Sequence, residues 1–127
     1  MEEVVSNAAE GPIHDFGEAV VDMILGSHYS CALLESGVVK CWGQHWSGVL
    51  GQGEVGSKRV AVDAPEVPLG GAVQSLGGNL LHNCAIMEGS EDLVCWGEGV
   101  YGKLGYGSEN DIGDDETPES MGTVSFR

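Results

Sequence analysis

Four cysteines are the residues of this sequence with the most obvious chemistry. They form two pairs, since Cys31 precedes Cys41 by ten residues and Cys84 precedes Cys95 by eleven. Cysteines at such distances can form disulfides, ligate a metal or supply a nucleophilic thiolate. Neither pair has the Cys-x2-Cys spacing of a zinc knuckle, and nothing places a histidine beside either pair as a base. A zinc site and a catalytic thiol are therefore disfavoured.

Each cysteine pair spans a predicted β-hairpin. A three-residue turn at residues 35–37 sets Cys31 opposite Cys41, and a four-residue turn at residues 88–91 sets Cys84 opposite Cys95. Gly37 suits the left-handed position that the first turn requires. Opposed residues at a non-hydrogen-bonded position have Cα atoms about 4.5 Å apart, within the reach of a disulfide. We predict one disulfide in each hairpin, with reduced cysteines in the core as the alternative.

Two histidines, His28 and His82, lie just before the first cysteine of each pair. A general base or a metal ligand needs a second positioned polar group, and the sequence names none beside them. We therefore expect each histidine to act as a structural partner of a neighbouring backbone group.

Acidic residues crowd one loop near the end of the chain, at Asp111, Asp114, Asp115 and Glu116. Carboxylates so close together could hold calcium, which prefers hard oxygen ligands. Their order lacks the spacing of a dedicated calcium loop, D-x-[DN]-x-[DN]-G. We expect a solvated loop, keep Asp111, Asp114 and Asp115 as weak calcium candidates, and expect neither a bound metal nor a cofactor.

All of these residues belong to a sequence that repeats itself. Positions between 12 and 33 recur 53 residues later, and after one inserted residue the Cys-Trp-Gly of residues 41–43 recurs 54 residues later at residues 95–97. The shared pattern is C-A-[LI]-x(n)-C-W-G-x4-G-x-L-G-x-G, with every glycine in register. A fixed period of this length indicates a repeat architecture.

Within each unit the apolar runs are short, β-branched and separated by turn residues, which predicts strands rather than helices. The predicted strands are residues 20–25, 30–34, 38–42 and 66–69. Four short strands in about 50 residues are typical of a propeller blade. We divide the chain into a tail at residues 1–11, a first blade at residues 12–69, and a second blade at residues 70–126 that includes a partial third edge.

The doubled segment closely resembles the regulator of chromosome condensation repeat, in the cysteine-paired version common in bacterial proteins. The resemblance covers roughly residues 12–126. The family's usual histidine two residues before the first cysteine is present as His82 and is replaced by Tyr29 in the first unit. The family builds seven-bladed propellers, so the resemblance implies an all-β fold with two four-stranded blades of a β-propeller, an incomplete ring.

Charge excludes several classes of partner. The 127 residues suffice for one ordinary domain, and their net charge of −15 disfavours a grip on nucleic acid phosphates or on an anionic membrane surface. The acidic first residues do not read as a signal peptide, and no apolar run is long enough to span a membrane. We expect an extracellular or cell-surface location if the disulfides form, and otherwise the compartment stays open.

Protein surfaces are the ligands that the resemblance implies, because family members include an exchange factor for a small GTPase and an inhibitor of β-lactamases. We predict a non-enzymatic protein-interaction module, since no set of nucleophile, base and orienting group is evident. Loop residues that follow the Cys-Trp-Gly strands and differ between units are the predicted contacts: His45, Trp46, Val100 and Tyr101. The alternatives are an exported structural or adhesive repeat segment and a guanine-nucleotide exchange factor-like regulator.

Two blades cannot close a ring, so each blade has a flank with no neighbour. Further repeats in a longer chain, other copies of this chain, or aggregation of a marginally folded chain are the three routes for covering these flanks. We expect the first of them.

Overall fold

The computed structural model describes residues 16–44, 47–53, 64–99, 104–105, 110–114 and 116–124. It contains six strands, β1 (Val20–Leu25), β2 (Tyr29–Leu34), β3 (Val39–Gly43), β4 (Val73–Asn79), β5 (His82–Met87) and β6 (Leu93–Gly97), followed by a 3-10 turn at Pro118–Met121. The strands form two antiparallel sheets, β1-β2-β3 and β4-β5-β6. Three of the four predicted strands, residues 20–25, 30–34 and 38–42, are confirmed to within one residue at either end.

The two sheets share their irregularities as well as their order. A bulge interrupts β1 between Val20 and Asp22, and the same bulge interrupts β4 between Val73 and Ser75, 53 residues later. Each third strand ends in a glycine of positive φ, and each first strand turns directly into the second. The sequence repeat is therefore a repeat of backbone conformation.

The fourth strand of each blade is shorter than the sequence predicts. At residues 66–69 it consists of a single bridge between Lys40 and Glu66 and one hydrogen bond, in which Val67 N–H donates to the Val39 carbonyl at 2.8 Å. Pro65 and Pro68 flank this contact and lack the N–H groups that would extend the ladder. Each blade is thus three full strands with a short fourth edge.

The second blade forms its fourth edge in a similar way. Gly97 and Ile112 make a bridge, and Val124 N–H donates to the Leu93 carbonyl at 2.8 Å. Leu93 is the counterpart of Val39, so Val124 stands where Val67 stands in the first blade. The two edges differ in how many residues precede the contact, because the 3-10 turn lies before Val124.

Both hairpins have the register expected from their turns. Cys31 pairs with Cys41 across β2 and β3, and Cys84 pairs with Cys95 across β5 and β6. The first turn has Gly37 at a φ of 92°, as expected for its left-handed position. In the second turn Glu91 has a positive φ of 62° at the end of the turn, a conformation that a side chain adopts only under strain.

We name the side of each sheet that carries its central tryptophan the tryptophan face and the opposite side the cysteine face. The cysteine face of the first blade packs against the tryptophan face of the second, and this interface is the hydrophobic core. Its members include Ile24, Tyr29, Cys31, Leu33, Val39 and Cys41 from the first blade and Ala85, Val94 and Trp96 from the second. A propeller interface in which opposite faces meet is heterologous, so each blade retains one face that its partner does not use.

Candidate functional site

The two disulfides lie in different environments. Cys31 and Cys41 are bonded, with Cα atoms 4.0 Å apart, and both are fully buried between the blades. Cys84 and Cys95 are bonded with the same Cα separation, but Cys84 is only half-buried on the cysteine face of the second blade. All four thiols are therefore used in disulfides, and none of them is available as a nucleophile or as a metal ligand.

A polar contact crosses the interface between the blades. The Tyr29 hydroxyl donates to Asn83 Oδ1 at 2.6 Å, and Asn83 Nδ2 donates to the Val49 carbonyl at 3.1 Å. The Trp96 indole N–H donates to the same carbonyl at 3.0 Å. Asn83 is completely buried, so these partners satisfy an amide that would otherwise lose its hydration without compensation.

Burial also changes the acidity of the tyrosine. Desolvation raises the pKa of the Tyr29 hydroxyl to about 12, because the phenolate would lose most of its hydration in this interface. The hydroxyl therefore remains protonated at all physiological pH values and acts only as a hydrogen-bond donor here.

The histidines do not occupy matching places. His28 lies in the turn between β1 and β2 with a positive φ of 68°, and its Nδ1 is 3.2 Å from Ser27 Oγ. His82 begins β5 and pairs with Gly97, as Tyr29 begins β2 and pairs with Gly43. His82 is thus the structural counterpart of Tyr29, and His28 is an exposed turn residue.

The acidic loop uses two of its carboxylates to hold its own backbone. Gly99 N–H donates to Asp111 Oδ1 at 3.0 Å, and Gly113 N–H donates to Glu116 Oε2 at 2.9 Å. Asp114 is half-buried beside them, and Asp115 lies outside the described residues. Within the described ranges, no group of three or more histidine, cysteine, aspartate or glutamate side chains is arranged to hold a metal ion.

Two turns meet at one end of the blades, which we name the turn end: the β1–β2 turn at residues 26–28 and the β4–β5 turn at residues 80–81. Ser27 N–H donates to the Leu80 carbonyl at 2.9 Å and joins them. Leu25 is 75 % exposed and Leu80 is 66 % exposed. Leu80 also has a φ of 51°, in a region that leucine rarely adopts. Leu80 thus combines an exposed apolar side chain with a strained backbone conformation.

The segments that follow each Cys-Trp-Gly begin at the same turn end. Gln44 N–H donates to the His28 carbonyl at 2.9 Å, and Glu98 N–H donates to the Leu81 carbonyl at 2.7 Å. The predicted contact residues come next in the sequence but lie outside the described residues: His45, Trp46, Val100 and Tyr101. Of the described chain, no helix is long and apolar enough to cross a membrane.

The sequence did not single out Tyr29, Asn83 or Leu80 as site residues. Tyr29 and Asn83 are 54 residues apart, and their contact depends on how the blades stack rather than on a local motif. One signal was available, because Asn83 stands where the first unit has Ser30, directly before the Cys-Ala that both units share. Asn83 lies in the interface between the blades, whereas Ser30 lies on the outer face of the first blade. The substitution therefore marks the position at which the surroundings of the two units differ.

The chain is similar in sequence to one curated protein described here and in fold to several solved structures. The ultraviolet-B receptor UVR8 of Arabidopsis thaliana is 28 % identical over 95 residues, which covers 68 % of this chain and 20 % of the receptor. Yeast RCC1 (Prp20), solved bound to Kap60, superposes with a TM-score of 0.65 at 17 % identity over 79 % of this chain and 24 % of its own. The two units are therefore similar to the repeats of regulator of chromosome condensation proteins in sequence and in fold. Their fold is that of two β-propeller blades in an incomplete ring.

A further solved structure has the same repeat fold. Human WBSCR16 superposes with a TM-score of 0.66 at 19 % identity and covers 82 % of this chain and 26 % of its own. The repeats of this chain thus span about a fifth to a quarter of the length of these proteins. No family model matches the chain.

Proposed function

We propose that this chain is a non-enzymatic protein-interaction module whose turn end contacts the partner. The observation that carries the proposal is Leu80, which is 66 % exposed and has a φ of 51° in a turn whose carbonyl accepts from Ser27 N–H of the neighbouring turn. An apolar side chain at such a position gains nothing for the fold, since burial is what makes a leucine stabilising. Its presence on a strained turn is explained by a contact with another molecule.

We also propose the predicted loop residues His45, Trp46, Val100 and Tyr101 as partner contacts. Gln44 and Glu98, which are hydrogen-bonded to the turns, lead the chain into both loops from the turn end. Aromatic residues such as Trp46 and Tyr101 are enriched among the residues that dominate binding energy. Loops that vary over a repeated framework are the usual place for recognition.

Similar proteins support a protein as the ligand. The solved structures of yeast RCC1 (Prp20) include a complex with Kap60, and the properties described for Prp20p of Saccharomyces cerevisiae include binding to Gsp1p and histones. Prp20, which is similar to this chain in fold, thus binds other proteins. All four cysteines of this chain are bonded in disulfides, so we propose no thiol chemistry for it.

An oxidising compartment fits this assignment. Both cysteine pairs are at bonding distance, and disulfides persist in secreted and cell-surface proteins rather than in the cytosol. We place the module outside the cell or at the cell surface.

The test starts from immobilised oxidised chain, which captures a stoichiometric partner that is then purified and titrated calorimetrically. Leu80→Gly removes the exposed side chain and relieves the positive φ, so the fold is retained. We expect Leu80→Gly, and separately the double variant Trp46→Ala with Tyr101→Ala, to weaken binding by about 1 kcal/mol or more. Met121→Ser is the matched control, because Met121 is 40 % exposed in the 3-10 turn.

Binding that is unchanged in Leu80→Gly and in the double variant contradicts a turn-end contact. Weakening by Met121→Ser to the same extent indicates non-specific apolar adhesion and also contradicts the proposal.

A further inference from the structure

The first strand of each sheet has a pairing strand on one side only among the described residues. β1 pairs with β2 and β4 pairs with β5, so the other side of β1 and of β4 forms an edge of its sheet. We name this side the inner edge. An edge presents backbone N–H and C=O groups on which a strand of another molecule can add, and proteins protect such edges with bulges or charged side chains.

One carboxylate lies at both inner edges. Met23 N–H of β1 donates to Asp22 Oδ1 at 2.9 Å, and Leu76 N–H of β4 donates to Asp22 Oδ2 at 3.1 Å. Leu76 is the counterpart of Met23 in the second unit, 53 residues later. The two oxygens of one half-buried side chain therefore accept from the same backbone position in neighbouring sheets, and hydrogen bonds to an ionised acceptor are the strong ones.

The sequence of β1 makes such protection necessary. Its six residues read VVDMIL and are apolar apart from Asp22, and Val20 and Val21 are 41 % and 59 % exposed. A short segment with high β propensity and little charge is typical of strands that pair between molecules. β4 reads VQSLGGN, in which polar residues and two glycines lower this tendency. The bulge of β1 lies at the same place, between Val20 and Asp22.

We propose that Asp22 closes the inner edges of both sheets to strand addition, and that the strand it excludes is β1 of a second copy of this chain. A strand that added to β1 would displace the carboxylate from Met23 N–H and enclose its charge without these hydrogen bonds, which is costly. Because the same side chain also accepts from Leu76 N–H, its removal opens both edges at once.

Amide hydrogen exchange of the oxidised full chain tests the double contact. Asp22→Val removes both acceptors, so exchange at Met23 N–H and Leu76 N–H is expected to speed up about tenfold or more. Asp22→Asn keeps the size of the side chain but has a single acceptor oxygen, so at least one of the two N–H groups is expected to lose protection. Asp92→Val is the matched control, because it removes the same charge at an exposed hairpin position where the first unit has Val38.

Thioflavin T fluorescence and sedimentation measure strand addition between copies. Asp22→Val is expected to form thioflavin-binding assemblies under conditions in which the unmodified chain and Asp92→Val form none. Adding Val21→Lys returns a charge to the same edge, at a position where the second unit has the polar Gln74. This double variant is expected to form no assemblies while exchange at Leu76 N–H remains fast.

Thermal melts establish which variants are folded at the assay temperature. Asp22→Asn preserves the shape of the side chain and is expected to form the same assemblies more slowly, so it carries the test if Asp22→Val does not fold.

Unchanged exchange at both N–H groups in the Asp22 variants overturns the inference. So do folded Asp22 variants that are as free of assemblies as Asp92→Val. Assemblies that persist when Val21→Lys is added grow from another part of the chain and also overturn it. None of these outcomes depends on the turn-end partner, since none of these variants changes Leu80 or the loop residues.

Discussion

Asn83 is the buried polar residue in the contact between the blades. It is completely buried, and its side-chain amide makes two hydrogen bonds to the first blade. Its Oδ1 accepts from the Tyr29 hydroxyl and its Nδ2 donates to the Val49 carbonyl. A buried amide with one end unsatisfied costs about 1–3 kcal/mol, so this pairing selects one relative position of the blades. Apolar packing alone would select the relative position of the two blades less sharply, because the hydrophobic effect has no preferred direction.

Tyr29 makes the free energy of unfolding depend on pH in the alkaline range. Its folded pKa of about 12 lies above the unfolded value of 10.0, so its contribution is complete below pH 10 and is lost as pH rises toward 12. The shift corresponds to a loss of about 2–3 kcal/mol over that range. Denaturant unfolding at a series of pH values measures it. Tyr29→Phe is expected to lose this part of the pH dependence, and an unchanged slope in that variant would contradict the burial of the hydroxyl.

The hairpins show what each turn position requires of its residue. Gly37 has a φ of 92°, and a Cβ added there would lie 2.6 Å from Ala72 Cβ of the second blade. Glu91 has a φ of 62° with a side chain already present and exposed. One turn therefore uses glycine where both conformation and space demand it, and the other carries a strained glutamate.

Exchanging these residues has opposite effects on stability. We expect Gly37→Ala to lower the free energy of unfolding by about 2 kcal/mol or more, because it combines strain with a steric conflict between the blades. Glu91→Gly is expected to raise it by about 0.5–1 kcal/mol, because the relief of strain exceeds the added chain entropy. Denaturant titration measures both, and a neutral Gly37→Ala would be inconsistent with the close approach to Ala72.

The disulfides of the two hairpins are expected to be reduced at different rates. Cys31 and Cys41 are shielded by the second blade, whereas Cys84 is half-buried on the cysteine face that no described residue covers fully. A small thiol reductant therefore reaches the second disulfide first. Timed alkylation with mass spectrometry measures the order, and faster loss of the first disulfide would speak against the described burial.

Much of the element-level structure was predictable because it is local. The cysteine spacing and the turn residues together determine the hairpin register, and the alternation of apolar residues locates the strands. The fourth strand was overestimated, because Pro65 and Pro68 limit it to one bridge and one hydrogen bond. The exposure and the positive φ of Leu80 could not be predicted, because leucine is usually buried and rarely has a positive φ.

At the scale of the whole molecule the two repeats form a head-to-tail pair rather than a symmetric one. The first blade presents its cysteine face and the second its tryptophan face, and backbone hydrogen bonds such as the one from Val73 N–H to the Gly37 carbonyl at 2.9 Å hold the pair together. A net charge of −15 adds mutual repulsion between copies of the chain, which opposes non-specific association.

The hydrogen bond between Tyr29 and Asn83 joins the two blades across their interface. Its decisive test is a double-mutant cycle with Tyr29→Phe and Asn83→Ala, measured by denaturant unfolding of the oxidised chain. A contact of 2.6 Å between these side chains predicts a coupling energy of about 0.5–1.5 kcal/mol. Tyr29→Phe combined with Glu91→Gly is the control, and those effects are expected to add within about 0.5 kcal/mol. Simple additivity of Tyr29→Phe and Asn83→Ala would contradict the stacking of the blades.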